Sequence, residues 1–343
     1  MTSRTPEPCT PRTQPAAWTY VSGRVAALEG SLLTADALEQ LAGAQSPAAV
    51  ASALADSPLR SAAAESRTPA EAAEAVGAHY AGLLQGIRAD CPAEAMFELL
   101  SLPAEYRGLK DRVRAASAGA ATTEPGPGPL AELLEAAWDG QARAGLELLA
   151  AALSGDRRPE PALAADLVLD SARLLEALAL AGALSSEPLR AHVAAEVRVR
   201  SMLVVWRSKL LAEQELQGSA LGEWLPRLFL RGELGRDLAG SLWAAAFSAW
   251  PSLVAGALSE ALAGESFGGG EPQRLTGWER AAFNWLTARA RQFRTAAFGV
   301  ERVYGYAWGL AVEERNVRLA LVGRLRGVAP EAIRELLWEP YGG

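Results

Sequence analysis

The chain has 343 residues, enough for two or three cores of ordinary domain size, and half of these residues are hydrophobic. A formal net charge of -7, with no long Lys/Arg run, excludes a general nucleic-acid binder, because phosphate contacts need a basic face. Ala and Leu dominate, and strand-favouring β-branched and aromatic residues are sparse apart from ten Trp, so the expected fold is all-α.

Residues 1–15 carry Pro6, Pro8, Pro11 and Pro15 among Thr, Ser and Arg, a composition that reads as a disordered arm. No basic flank followed by an apolar core marks a signal peptide there, and a cytosolic location is expected. The spacing of Val21, Val25, Leu28 and Leu32 predicts a helix over Trp18 to Leu33 with one apolar stripe. Further helix starts are marked by Ser46-Pro47, Ser57-Pro58 and Thr68-Pro69, the last with Glu71 placed to complete a capping box. Breaker-rich stretches at Ser117 to Pro129, Gly155 to Pro161 and Gly264 to Arg274 are candidate linkers.

Between Asp237 and Glu260 lie 22 uncharged residues, long enough for a membrane span. Its serines, its alanines and Pro251 at mid-length make transfer into lipid poor, so a buried helix pair broken at Pro251 is expected instead. The last long helix is predicted over Val303 to Arg326, about 35 Å in length, with Ala307, Leu310, Val317, Leu321 and Leu325 on one stripe. Glu314 interrupts that stripe four residues before Arg318, a spacing that suits an ion pair along the helix or across domains.

Three segments align by their acidic start, at Glu105, Glu196 and Glu313, and in that register Arg107, Arg198 and Arg315 also coincide. The starts lie 91 and 117 residues apart, close to a third of the chain, with candidate linkers between them. Three related helical domains are the economical reading.

Catalytic chemistry has little support in the sequence. His79 and His192 are far apart, and Cys9 and Cys91 are isolated, so neither a zinc site nor a disulfide framework is indicated. Gly-x-x-x-x-Gly-Lys-Ser/Thr, Gly-x-Gly-x-x-Gly after a strand and Gly-x-Ser-x-Gly are missing, and Gly268 to Gly270 reads as a flexible loop. No catalytic residue, cofactor or metal is expected. Trp243, Phe247 and Trp250, and likewise Trp278, Phe283 and Trp285, fall at helical spacing and are assigned mainly to packing.

The segment from Phe298 closely resembles the end of the C subunits of V/A-type (vacuolar/archaeal-type) ATPases and ATP synthases, relatives of the d subunits of eukaryotic V-ATPases. Its most specific part is Glu313-Glu-Arg-Asn316-x-Arg318, followed by Gly323-Arg324 and Pro330-Glu331. Tyr20 to Leu33 resembles the opening helix of that family, and Leu225 to Leu234 its middle-domain turn. The asparagine of the repeated motif is replaced by Gly108 and Val199 in the first two units.

The resemblance implies three similar helical domains arranged as a funnel with pseudo-threefold symmetry, placed here at residues 16–122, 129–228 and 229–343. It implies a non-catalytic central-stalk part, one copy per complex, coupling the central rotor shaft to the membrane rotor ring for ATP-linked proton transport. Its partners are then shaft and ring subunits, reached by protein contacts at the cytoplasmic face of the membrane without a transmembrane segment. Glu313, Asn316, Arg318 and Arg324, with Tyr304 and Tyr306, either face the funnel interior or tie two domains together, and the second reading is favoured. The rival reading is a helical adaptor or scaffold acting outside an ATPase.

Overall fold

The computed structural model describes residues 15–45, 47–54, 57, 59–60, 65–120, 140–153, 161–215, 241–246, 249–257 and 273–342. Every regular element among them is helical. They include α1 (Pro15–Glu29), α2 (Ala35–Gly43), α3 (Pro47–Ala53), α4 (Pro69–Arg88), α5 (Glu94–Ala120) and α6 (Gln141–Leu153). There follow α7 (Pro161–Ala183), α8 (Glu187–Glu215), α9 (Trp250–Ala257), α10 (Gln273–Arg291), a 3₁₀ turn (Gln292–Thr295), α11 (Val300–Leu325) and α12 (Pro330–Leu336).

Local chemistry sets several of these ends. Thr68 caps α4 by accepting from the Glu71 amide at 3.2 Å, while the Glu71 carboxylate accepts from the Arg67 amide at 2.8 Å. That second bond is the main reason the Glu71 pKa is lowered. Thr34 caps α2 in the same manner. α11 stops in a Schellman arrangement, with Gly327 at φ 74° and amides of Val328 and Gly327 returning to the carbonyls of Gly323 and Arg324.

Three boundaries differ from the sequence expectation. α1 ends at Glu29 rather than Leu33, because the chain turns at Gly30 and Ser31, whose amide bonds back to the Leu28 carbonyl. α5 continues through Ser117-Ala-Gly-Ala120 into the first candidate linker, since those small residues tolerate a helix. Pro251 stands in the first turn of α9 and so begins that helix, and the irregular residues 245 and 246 lie ahead of it. A proline is accommodated there because a first-turn amide has no helical acceptor to lose. Residues 1–14, Pro58, Phe247, Leu225 to Leu234, Gly268 to Gly270 and most of the three candidate linkers lie outside the described residues. No described helix is long and apolar enough to cross a membrane.

The chain divides into two compact units, one of Thr10–Leu100 with Glu271–Gly343 and one of Met1–Cys9 with Ser101–Gly270. In the first, here the terminal unit, α11 is the central element and α4 runs along it, with α1, α2, α10, α12 and the 3₁₀ turn also against it. Leu310, Val317 and Leu321 are buried as the stripe requires, but Leu325 is 41% exposed, and burial spreads to Val303, Tyr304, Tyr306, Trp308, Val312 and Asn316. Small residues explain the wider contact. Gly305 and Gly309 let Tyr341 lie directly on the backbone, where a Cβ at Gly309 would stand 2.6 Å from Tyr341 Cδ1.

The middle unit packs α6 and α8 against α7. Gly145 on α6 fits against Ala172 and Val168 of α7. The Tyr106 hydroxyl on α5 donates to Glu176 at 2.6 Å, and a band of ion pairs joins Lys110 and Arg114 to Asp166 and Asp170. Trp206 and Trp250 meet edge to face at 4.9 Å, and Lys209 donates to the carbonyls of Trp243 and Ala245 beside them.

Candidate functional site

Of the sequence candidates on α11, Glu313, Asn316, Arg318 and Arg324 each have a polar partner within the terminal unit. Glu313 accepts from the Tyr80 hydroxyl of α4 at 2.7 Å and from the Leu33 amide at 2.5 Å. Both donors are neutral, so burial dominates and raises the Glu313 pKa, while the two hydrogen bonds oppose it. Tyr80 is likewise raised, by burial first and by the Glu313 carboxylate next, and remains a protonated donor.

Asn316 is fully buried. Its Nδ2 donates to the Trp338 carbonyl at 2.8 Å and its Oδ1 accepts from the Trp338 amide at 3.0 Å. Arg315 adds a bond to the Leu336 carbonyl at 2.9 Å. The Trp338 ring lies between Phe283, stacked at 3.9 Å and 6°, and the Arg315 guanidinium at 3.8 Å.

Arg318 pairs with Glu314 one turn back at 2.6 Å and lies against Gly77 of α4. Arg324 donates to the Val328 carbonyl at 3.0 Å, across the end of its own helix. Tyr304 is buried, edge-on to Phe293 at 6.5 Å. Tyr306 is fully buried, and burial with the charges of Glu313 and Glu29 pushes its pKa up to about 12.

A second cluster lies nearer the start of α11. Glu29, the last residue of α1, is 6% exposed and pairs with Arg302, with Arg294 at 3.9 Å and the Tyr341 hydroxyl at 3.3 Å. Arg302 also donates to the carbonyls of Arg294 and Ala296. Ser22 accepts from the Gly299 amide at 3.2 Å. These contacts pin the start of α11 to α1.

The aligned acidic residues do not share partners. Glu196 bonds Arg200 at 2.5 Å; burial works to raise its pKa, but Arg200 and Arg173 outweigh that and the pKa is lowered. Glu105 is half-buried on α5. Elsewhere, burial lowers the pKa of His79 and pushes the Cys91 thiol up to about 12. Among the described residues no group of three or more His, Cys, Asp or Glu is placed to hold a metal ion.

What the motif builds is therefore a set of buried and half-buried fasteners on one long helix, and a sequence comparison places that helix. The profile of the ATP synthase (C/AC39) subunit family matches residues 21–336. The chain belongs to this family. No curated protein matches it in a sequence search. The match spans nearly all of α1 through α12 and ends before the extended residues 337–342, so the partner of Asn316 lies just beyond it.

Sequence reasoning missed several residues of this family member that the structure brings to α11, namely Glu29, Tyr80, Arg302, Trp338 and Tyr341. Only one had a usable local signal. Gly305 and Gly309, four apart on a helix, leave a flat face on which an aromatic ring can lie, and Tyr341 occupies it.

Proposed function

We propose that this chain is a non-catalytic central-stalk part that couples the central rotor shaft to the membrane rotor ring in ATP-linked proton transport. One copy per complex sits peripherally on the cytoplasmic face of the membrane. Its body is a funnel of three similar helical domains about a pseudo-threefold axis, as the repeat at Glu105, Glu196 and Glu313 suggests. The observation that carries this reading is the family match over residues 21–336.

Mechanics agrees with it. A part that transmits torque must resist bending, and close-packed helices meet that need better than loops. α11 is held along its length by buried and half-buried polar contacts to segments far away in sequence, at Glu29, Leu33, Tyr80 and Trp338. In this reading Glu313, Asn316, Arg318, Arg324 and Tyr304 tie helical segments together and keep the body stiff.

Affinity capture of the tagged full-length chain from solubilised membranes tests the proposal. Recovery of catalytic, stator and ring subunits of one ATPase, with loss of ATP-driven proton pumping when the chain is deleted, is expected. Recovery of unrelated soluble proteins alone overturns it in favour of a helical adaptor.

A further inference from the structure

We propose that residues 337–342 form a latch that locks the end of α1 and the turn after it onto α11. The strap has no regular secondary structure, yet its residues are fixed one after another. Trp338 is clamped through its backbone by Asn316 and through its ring by Phe283 and Arg315. The Glu339 amide donates to Asn284 at 2.8 Å, and the Pro340 carbonyl accepts from Arg291 at 2.5 Å.

Trp338 to Pro340 thus bind α10 and α11, and Tyr341 and Gly342 reach α1. The Tyr341 ring lies lengthwise on α11, with its Cβ and Cγ over Gly309 and its hydroxyl over Gly305, and that hydroxyl donates to Glu29 Oε1. Gly342 follows so closely on the turn that a Cβ there would stand 2.9 Å from Leu32 Cβ and 3.3 Å from the Leu33 carbonyl. The Leu33 amide in that turn is the one that Glu313 accepts. The strap therefore covers the segment that supplies one of the two donors to the Glu313 carboxylate.

Contacts between α4 and α11 do not pass through the strap. Tyr80 reaches Glu313 directly and Arg318 lies on Gly77. Releasing the strap should free the end of α1 and leave α4 in place.

Amide hydrogen exchange on the full-length chain tests the latch, comparing wild type with Tyr341→Ala and Tyr341→Phe. Removing the ring should speed exchange at residues 28–34 by about tenfold or more, with α4 unchanged, because local openings are independent where contacts are independent. Tyr341→Phe keeps the ring on the glycines and loses only the bond to Glu29, so it should give a smaller increase at the same residues. Unchanged exchange at residues 28–34 in both variants overturns the latch. So does a Tyr341→Ala variant that loosens α4 as much as α1 while Tyr341→Phe leaves residues 28–34 at the wild-type rate.

Discussion

Tyr80 and Glu313 meet although they stand 233 positions apart in the chain, and the hydroxyl of one is a principal support for the half-buried carboxylate of the other. A half-buried carboxylate held by two neutral donors loses much when one is removed, because the charge keeps its desolvation cost. Tyr80→Phe should lower stability by about 1–3 kcal/mol at neutral pH, read from urea unfolding of the full chain. An unchanged unfolding midpoint would show that the hydroxyl contributes nothing there.

Glu313→Gln should act in the opposite direction. The Glu313 pKa is raised in the folded chain above the ordinary glutamate value of 4.5. Stability linked to its proton is therefore fully present below about pH 4.5 and is lost as pH rises through the folded value. Above its folded pKa the wild type bears a half-buried charge, held only by neutral donors, that the amide variant lacks. A glutamine can still accept from the Leu33 amide and donate to the Tyr80 oxygen. The variant should therefore match or exceed wild-type stability at pH above the folded Glu313 pKa and lose that advantage on acidification. An equal stability deficit at every pH would sink this account.

Features set by neighbours in sequence were legible in the sequence, and features set by distant partners were not. The α4 start at Thr68-Pro69 was readable because cap, proline and Glu71 act within one turn. The Glu314–Arg318 pair was readable for the same reason. Asn316 was marked by the family motif, but its partner at Trp338 lies in an extended segment with no periodicity to betray it. The single stripe expected on α11 gave way to burial on most faces, because glycines count for little in a hydrophobic pattern yet permit the closest approach. Glu29 falls off the apolar stripe of Val21, Val25, Leu28 and Leu32 in the sequence, but Arg302 and Tyr341 enclose it.

Glycines on the two long helices of the terminal unit should respond in opposite directions to alanine. Gly82 on α4 is exposed, with no atom within 4 Å of a notional Cβ, so Gly82→Ala should stabilise by about 0.5–1 kcal/mol through helix propensity. At Gly309 the new methyl would stand 2.6 Å from Tyr341 Cδ1 and 2.9 Å from Cγ, in a ring that is itself buried. Gly309→Ala should cost about 1–3 kcal/mol through overpacking. Thermal unfolding of both variants checks the pair, and a stabilised Gly309→Ala would mean that the Tyr341 ring is free to leave the face.

Asn316 offers the sharpest separation between packing and hydrogen bonding. Its carboxamide satisfies both backbone groups of Trp338, at 2.8 and 3.0 Å, in a place from which water is excluded. Asn316→Ala leaves a donor and an acceptor buried together without those partners, which should cost about 2–4 kcal/mol in denaturant unfolding. Asn316→Leu restores apolar volume but not the bonds. If packing were the main contribution, leucine would recover most of the loss. If the two bonds are, leucine will be no better than alanine, and the Trp338 fluorescence environment will change in both variants. The second outcome is expected, because the ring retains Phe283 and Arg315 only while the backbone beneath it stays anchored.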